Sequence, residues 1–214
     1  MLQELRDMGV SNFITFDAHD PRVQNAIPLN GFDNFFPTYQ FLKALVKEVK
    51  DFKLDNDHLM IISPDEGAMS RAVYFSNILG VDMGMFYKRR DYSTVVNGKN
   101  PIVAHEFLGD SVEGKDVVII DDMIASGESM LDVAKQNQRN EKPNEYLSVL
   151  LMVFSQRDLT KFDEYYEKGW IDRVITTNLN YRLPELLTKE YYIEANMSKY
   201  LDKVSSISST MMFR

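Results

Sequence analysis

The sequence has no cysteine, so disulfides, thiolate nucleophiles and cysteine-bound metals are all excluded. That absence fits a reducing compartment. A cationic surplus is lacking too: the formal net charge is −8, which argues against general binding to nucleic acid or to anionic membranes. An acidic chain can still bind phosphate where its few basic residues converge. Long apolar runs are missing as well. The strongest, Leu147–Phe154, is interrupted by Ser148 and is far too short to span a bilayer. The opening Met1-Leu2-Gln3-Glu4-Leu5-Arg6-Asp7 does not have the form of a signal peptide, and a cytoplasmic location is the expectation. There is no internal repeat and no low-complexity tract.

What remains is a chain of 214 residues, 44% of them hydrophobic, which is enough to bury a core of ordinary size. Short apolar runs alternate with amphipathic stretches. Strands are expected at Asn12–Phe16, Leu59–Ile62, Gly84–Tyr87, Asp116–Ile120, Leu147–Phe154 and Arg173–Thr176. Helices are expected at Thr38–Phe52, Met69–Leu79, Glu128–Gln138 and Lys161–Lys168. Phe41, Leu42, Leu45, Val46, Val49 and Phe52 recur at helical spacing after Pro37, while Gly80 and Gly169 stand where helices stop. Strand–helix–strand repetition predicts an α/β fold, a mostly parallel sheet flanked by helices. Asp91–Asp110 shows no period and is expected to be a long loop of the lid or flap kind. Gln136–Glu145, polar and carrying Pro143, is expected to be an exposed connection, and Val204–Arg214 a frayed end.

Parallel sheets bind ligands beyond the carboxyl ends of their strands. Four segments with chemistry lie at such ends. In Val117-Val118-Ile119-Ile120-Asp121-Asp122-Met123-Ile124-Ala125-Ser126-Gly127-Glu128-Ser129-Met130, a buried strand runs into two carboxylates, a small-residue loop and a helix start. Amides and hydroxyls around Ser126, Gly127 and Ser129 suit a phosphate at a helix N-terminus. Asp121 and Asp122 could accept hydrogen bonds from ribose hydroxyls or approach a metal. The bland alternative is a surface turn capped by Ser126. In Ser63-Pro64-Asp65-Glu66-Gly67, Asp65 is placed either to bind a hard cation or to cap the next helix. In Phe16-Asp17-Ala18-His19-Asp20, Asp17 and His19 project the same way if the chain stays extended. In Tyr87-Lys88-Arg89-Arg90, Lys88 and Arg90 alternate to one side at the mouth of the long loop, as an electrostatic clamp on polyphosphate would require.

Taken together, these segments resemble the ribose-phosphate pyrophosphokinase family, the makers of phosphoribosyl pyrophosphate (PRPP), in its longer bacterial branch. Asp121–Met130 resembles the PRPP-binding loop of type I phosphoribosyltransferase folds. Asp17-Ala18-His19 resembles the family's Asp-x-His segment, followed by Gly31-Phe32-Asp33-Asn34. Ser63-Pro64-Asp65 resembles its Ser-Pro-Asp segment, and Lys88-Arg89-Arg90 its Lys-x-Arg. The resemblance implies Mg²⁺ held by His19 and Asp65, and ribose 5-phosphate bound by Asp121, Asp122, Ala125, Ser126, Gly127, Glu128 and Ser129. It also implies ATP as pyrophosphoryl donor, Lys88 and Arg90 as catalytic cations, and a homo-oligomer. Family members have two similar domains. Residues 1–36 would then be the end of the first and residues 37–214 the second, with the nucleotide-gripping portion absent from this sequence. Ala125 stands where many members are acidic, and Ser155-Gln156-Arg157-Asp158 lacks the glycine or histidine often found there. Two rivals are weighed: a PRPP-consuming phosphoribosyltransferase, which would share the Asp121–Met130 loop but need a base-recognising hood for which no insertion is seen, and a non-catalytic regulatory or truncated homologue.

Overall fold

The computed structural model of the chain describes residues 1–90, 93, 102–124, 146–149, 153–154 and 159–211. The expected helix Glu128–Gln138, the connection Gln136–Glu145 and the candidate residues Ala125, Ser126, Gly127, Glu128 and Ser129 lie outside them. The elements run α1 (Leu2–Asp7), β1 (Asn12–Phe16), a 3-10 helix (Pro21–Ala26), β2 (Gly31–Phe35), α2 (Thr38–Glu48), β3 (Leu59–Ser63), α3 (Met69–Leu79) and β4 (Met83–Arg90). They continue with β5 (Ile102–Leu108), β6 (Asp116–Ile119), β7 (Met123–Ile124), β8 (Tyr146–Val149), β9 (Val153–Phe154) and α4 (Thr160–Glu167). The chain closes with β10 (Arg173–Thr177), a 3-10 turn (Leu186–Thr188), β11 (Tyr192–Ala195) and α5 (Ser198–Met211).

Seven strands form one sheet in the order β11-β10-β8-β6-β3-β4-β5. Every neighbouring pair is parallel except β4 with β5. Leu-Met-Ile-Ile of β3 and Val-Val-Ile of β6 are apolar on both sides because both faces of the sheet are covered. Successive side chains point to opposite faces, so these short runs feed two cores. Met60, Ile62, Val117 and Ile119 join Phe86, Leu159, Phe162 and Val174 on one face. Leu59, Ile61, Val118 and Ile120 join Phe41, Leu45, Ala72 and Phe75 on the other. Helices α2 and α3 therefore cover one face and α4 the other, as the strand–helix alternation predicts. Gly80 ends α3 in the left-handed conformation (φ 68°) that its missing side chain permits.

The differences from the sequence expectations have physical causes. Within the expected loop Asp91–Asp110, residues Ile102–Leu108 form β5, antiparallel to β4. The Phe107 ring packs 5.1 Å from that of Phe86. Gly84 leaves room for it, since a Cβ there would lie 2.4 Å from the ring. A distant partner thus makes a strand that has no clear local period. The expected single strand Leu147–Phe154 is divided: β8 belongs to the main sheet, and β9 pairs with β7 in a separate one. Helix α2 ends at Glu48, four residues short of Phe52, and Val49 is already extended. The chain end is not frayed over its described part, because α5 continues to Met211 and buries Val204. Strands β1 and β2 form a parallel pair of their own, outside the main sheet.

Phe41 is fully buried where α2 meets the sheet. Phe41→Ala is expected to lower the unfolding free energy by about 3–5 kcal/mol, measured by urea denaturation. A loss below about 1 kcal/mol would mean that this helix contributes little to the core.

Candidate functional site

The carboxyl ends of β3 and β6 are neighbours in the centre of the sheet. The segments that follow them must therefore meet. After β3, the Ser63 hydroxyl donates to the Asp65 carbonyl at 2.7 Å, which folds the chain back. Asp65 Oδ1 then accepts from the amides of Gly67 (3.0 Å) and Ala68 (3.3 Å) at the entrance to α3. Asp65 thus does serve the helix start. It also lies close enough to Asp121 for its charge to be felt there.

After β6 come Asp121, partly buried, and Asp122, buried. The Asp122 amide donates to Asp121 Oδ1 at 2.8 Å. Burial pushes the Asp121 carboxyl up to about 7, and the neighbouring carboxylates of Asp122 and Asp65 add to the effect. Burial acts the same way on Asp122. There, however, hydrogen bonds from His19 and Asp121 and the positive charge of Arg71 prevail, and its carboxyl lies below the ordinary range. The pair is therefore split into one carboxyl that holds its proton and one that gives it up early.

The segment after β1 crosses to the same place. Its expected extended course is not what the structure shows. Asp17 adopts φ 48°, a left-handed conformation rare outside glycine, so Asp17 and His19 do not project alike. Asp17 turns inward and is buried, its amide donating to the Phe35 carbonyl of β2 at 2.8 Å. His19 turns outward, with 79% of its side chain exposed, and its Nδ1 lies 2.5 Å from Asp122 Oδ2. The Ala18 amide donates to the Asn34 side chain at 3.0 Å, which fixes the turn between them.

Arg71, absent from the sequence-derived site, stands at the centre. Its side chain is 6% exposed. Nε donates to Asp17 Oδ1 at 2.8 Å. Nη2 donates to Asp122 Oδ2 (3.3 Å) and to the carbonyls of Ala18 (3.2 Å) and His19 (3.4 Å). A sequence signal existed: Arg71 shares the helical face of Ala68, Ala72 and Phe75, all buried, and a charge on that face needs a partner. The Asp17 carboxyl is raised by burial, against the opposing pull of Arg71.

His19, Asp65, Asp121 and Asp122 are thus brought to one strand-end rim. Lys88 and Arg90 lie in β4, opposite His105 and Ile102 of β5. The register with β5 shifts between Arg89 and Arg90. Among the described residues no three histidine or acidic side chains form a ready-made metal cage. Magnesium needs none: it typically keeps several waters and binds one or two carboxylates together with substrate phosphates. Asp65, Asp121 and Asp122 crowd carboxyl oxygens together there, and Asp121 keeps a proton that a bound cation would displace. The residues present therefore fit a hard divalent ion. Among the described residues, no helix is long and apolar enough to cross a membrane.

The sequence matches the family described as phosphoribosyl transferase domain over residues 40–182. It is similar to the ribose-phosphate pyrophosphokinase of Wolinella succinogenes, 31% identical over 176 residues covering 81% of this chain and 50% of the relative. The enzyme of the same name from Mycoplasmopsis pulmonis is 27% identical over 94% of this chain and 57% of the relative. The chain spans about half the length of these two curated relatives. In fold it is similar to the phosphoribosylpyrophosphate synthetase of Mycobacterium smegmatis, with a TM-score of 0.72 and 18% identity, over 97% of this chain and 62% of that one.

Asp121 has a consequence for stability. Between about pH 4 and the raised value of about 7, the folded chain keeps a proton that the unfolded chain has lost. Stability therefore falls as pH rises through that window. At ~1.36 kcal/mol per pH unit, the penalty reaches at most ~4 kcal/mol above it, partly offset by Asp122. Asp121→Asn is expected to stabilise the ligand-free chain most near pH 8 and progressively less towards pH 4. Thermal unfolding at several pH values measures this. A gain that does not vary with pH would contradict the burial of an ionisable group at this position.

Proposed function

This chain belongs to the phosphoribosyl transferase domain family and resembles within it the ribose-phosphate pyrophosphokinases, and from that premise we propose that it acts in the transfer of pyrophosphate from ATP to ribose 5-phosphate. The observation that carries this reading is the meeting of His19, Asp65, Asp121 and Asp122 at the joined ends of β3 and β6. In this proposal Asp121 and Asp122 hold the ribose hydroxyls, and residues 125–129 hold the 5-phosphate. The anomeric hydroxyl oxygen of the sugar bonds to the β-phosphorus of ATP and releases its proton to solvent, the bond from that phosphorus to the α,β-bridging oxygen breaks, and AMP leaves with that oxygen. Magnesium, when bound, would supply charge neutralisation on the phosphates. His19 and Asp65 would hold it. Lys88 and Arg90 would stabilise charge on the transferring group. Residues 1–36 would be the end of a preceding domain. Cytoplasmic location and assembly as a homo-oligomer belong to the same proposal.

The second reading is a non-catalytic or regulatory homologue that binds the sugar phosphate alone. Calorimetric titration separates the readings. Ribose 5-phosphate is expected to bind under either reading, and Mg-ATP only under the pyrophosphoryl-transfer reading. Asp122→Asn is expected to weaken the sugar by about tenfold or more, ~1.4 kcal/mol. No heat with ribose 5-phosphate under any cation condition would overturn the proposal. In any preparation that turns over, Lys88→Ala is expected to cost about 2.7–4 kcal/mol of transition-state stabilisation while the sugar still binds. Turnover within about threefold of the parent would remove Lys88 from the chemistry.

A further inference from the structure

We propose that Arg71 is a positioning residue that, through Asp122, fixes the tautomer and aim of His19 so that Nε2 presents its lone pair to a divalent cation. The inference rests on the cation-binding role given to His19 above, but not on which sugar phosphate is bound.

An ionised carboxylate can only accept hydrogen bonds. The buried guanidinium of Arg71 donates to Asp122 Oδ2, so His19 Nδ1, 2.5 Å from the same oxygen, is the donor in that contact. A neutral imidazole that donates from Nδ1 carries its lone pair on Nε2. The ring is the exposed part of this cluster, with 79% of the side chain accessible. Its buried partner orients it, in the manner of a carboxylate that orients a metal-binding histidine. Arg71 holds both ends of the contact. It donates to the same Asp122 oxygen and to the carbonyls of Ala18 and His19, which carry the ring.

Energetics favours a positioning role over plain stabilisation. A buried ion pair is often no more stabilising than apolar residues of the same volume. Here the costs accumulate: the guanidinium and the Asp17 carboxyl are both buried. Asp17 also holds a left-handed φ of 48° and keeps Oδ2 buried without a hydrogen-bond partner among the described residues. Strain of this kind persists where the surrounding structure enforces it, characteristically at functional sites. Asp122 Oδ2 thus serves both His19 and Arg71.

The test reads the ring directly. Long-range ¹⁵N–¹H spectra of the metal-free chain, with His19 assigned by its loss in His19→Gln, are expected to show the Nδ1-protonated tautomer at a pH where the ring is neutral. Mn²⁺ titration followed by electron paramagnetic resonance is expected to show a bound ion. Arg71→Met is expected to give a mixed tautomer population and at least about tenfold weaker Mn²⁺ binding. Arg71→Lys is expected to recover part of each effect. Should Arg71→Met fail to fold, Arg71→Lys carries the comparison, with at least about threefold weaker Mn²⁺ binding expected. A predominantly Nε2-protonated ring in the parent would overturn the inference. So would absence of Mn²⁺ binding, or a folded Arg71 variant with parental tautomer and affinity. Failure of ribose 5-phosphate to bind, with these results intact, would overturn only the proposed function.

Discussion

A parallel sheet covered on both faces leaves its strand ends as the one place where polar groups can gather without being sealed in. The rest of this structure depends on that constraint. Strands β3 and β6 are apolar on either side because α2, α3 and α4 leave neither face open. Their carboxyl ends lie side by side. The acidic turn that follows each is therefore delivered to a shared rim. The site is a by-product of topology first and of side-chain chemistry second.

Carboxylates placed so close together do not coexist passively. Asp121 answers by retaining its proton to about 7, while Asp122 is kept ionised by a histidine and an arginine. Two adjacent residues of the same type thus acquire opposite habits from their surroundings. Arg71 is what allows the second. It reaches from the start of α3 into the space between the turn after β1 and the turn after β6, and neutralises what would otherwise be two buried charges.

Much of this was legible in the residues. The pattern of apolar run, polar turn and helix start gave β3, α3 and β6 within a residue or two. It also located Asp65, Asp121 and Asp122 at strand ends. What escaped was whatever depends on a distant partner. Strand β5 exists because β4 lies beside it and because Gly84 makes room for Phe107. The inward turn of Asp17 depends on Arg71, 54 residues away. The expected alignment of Asp17 with His19 failed for the same reason: period-2 reasoning assumes an extended chain, and a buried guanidinium has bent it. Arg71 itself could have been noticed as a charge on an otherwise apolar helical face.

The contact between His19 and Asp122 joins residues separated by 103 positions. Closing so long a loop costs entropy that is recovered only after the intervening strands have formed. By loop-closure entropy, the contact that fixes His19 is expected to form after the sheet that carries Asp122. The geometry of the site can also be lost on mild destabilisation while β3, β6 and their covering helices remain in place. Competence to bind and integrity of the fold are therefore separable properties of this chain, and a sample that is fully helical by spectroscopy is not for that reason fully assembled at its rim.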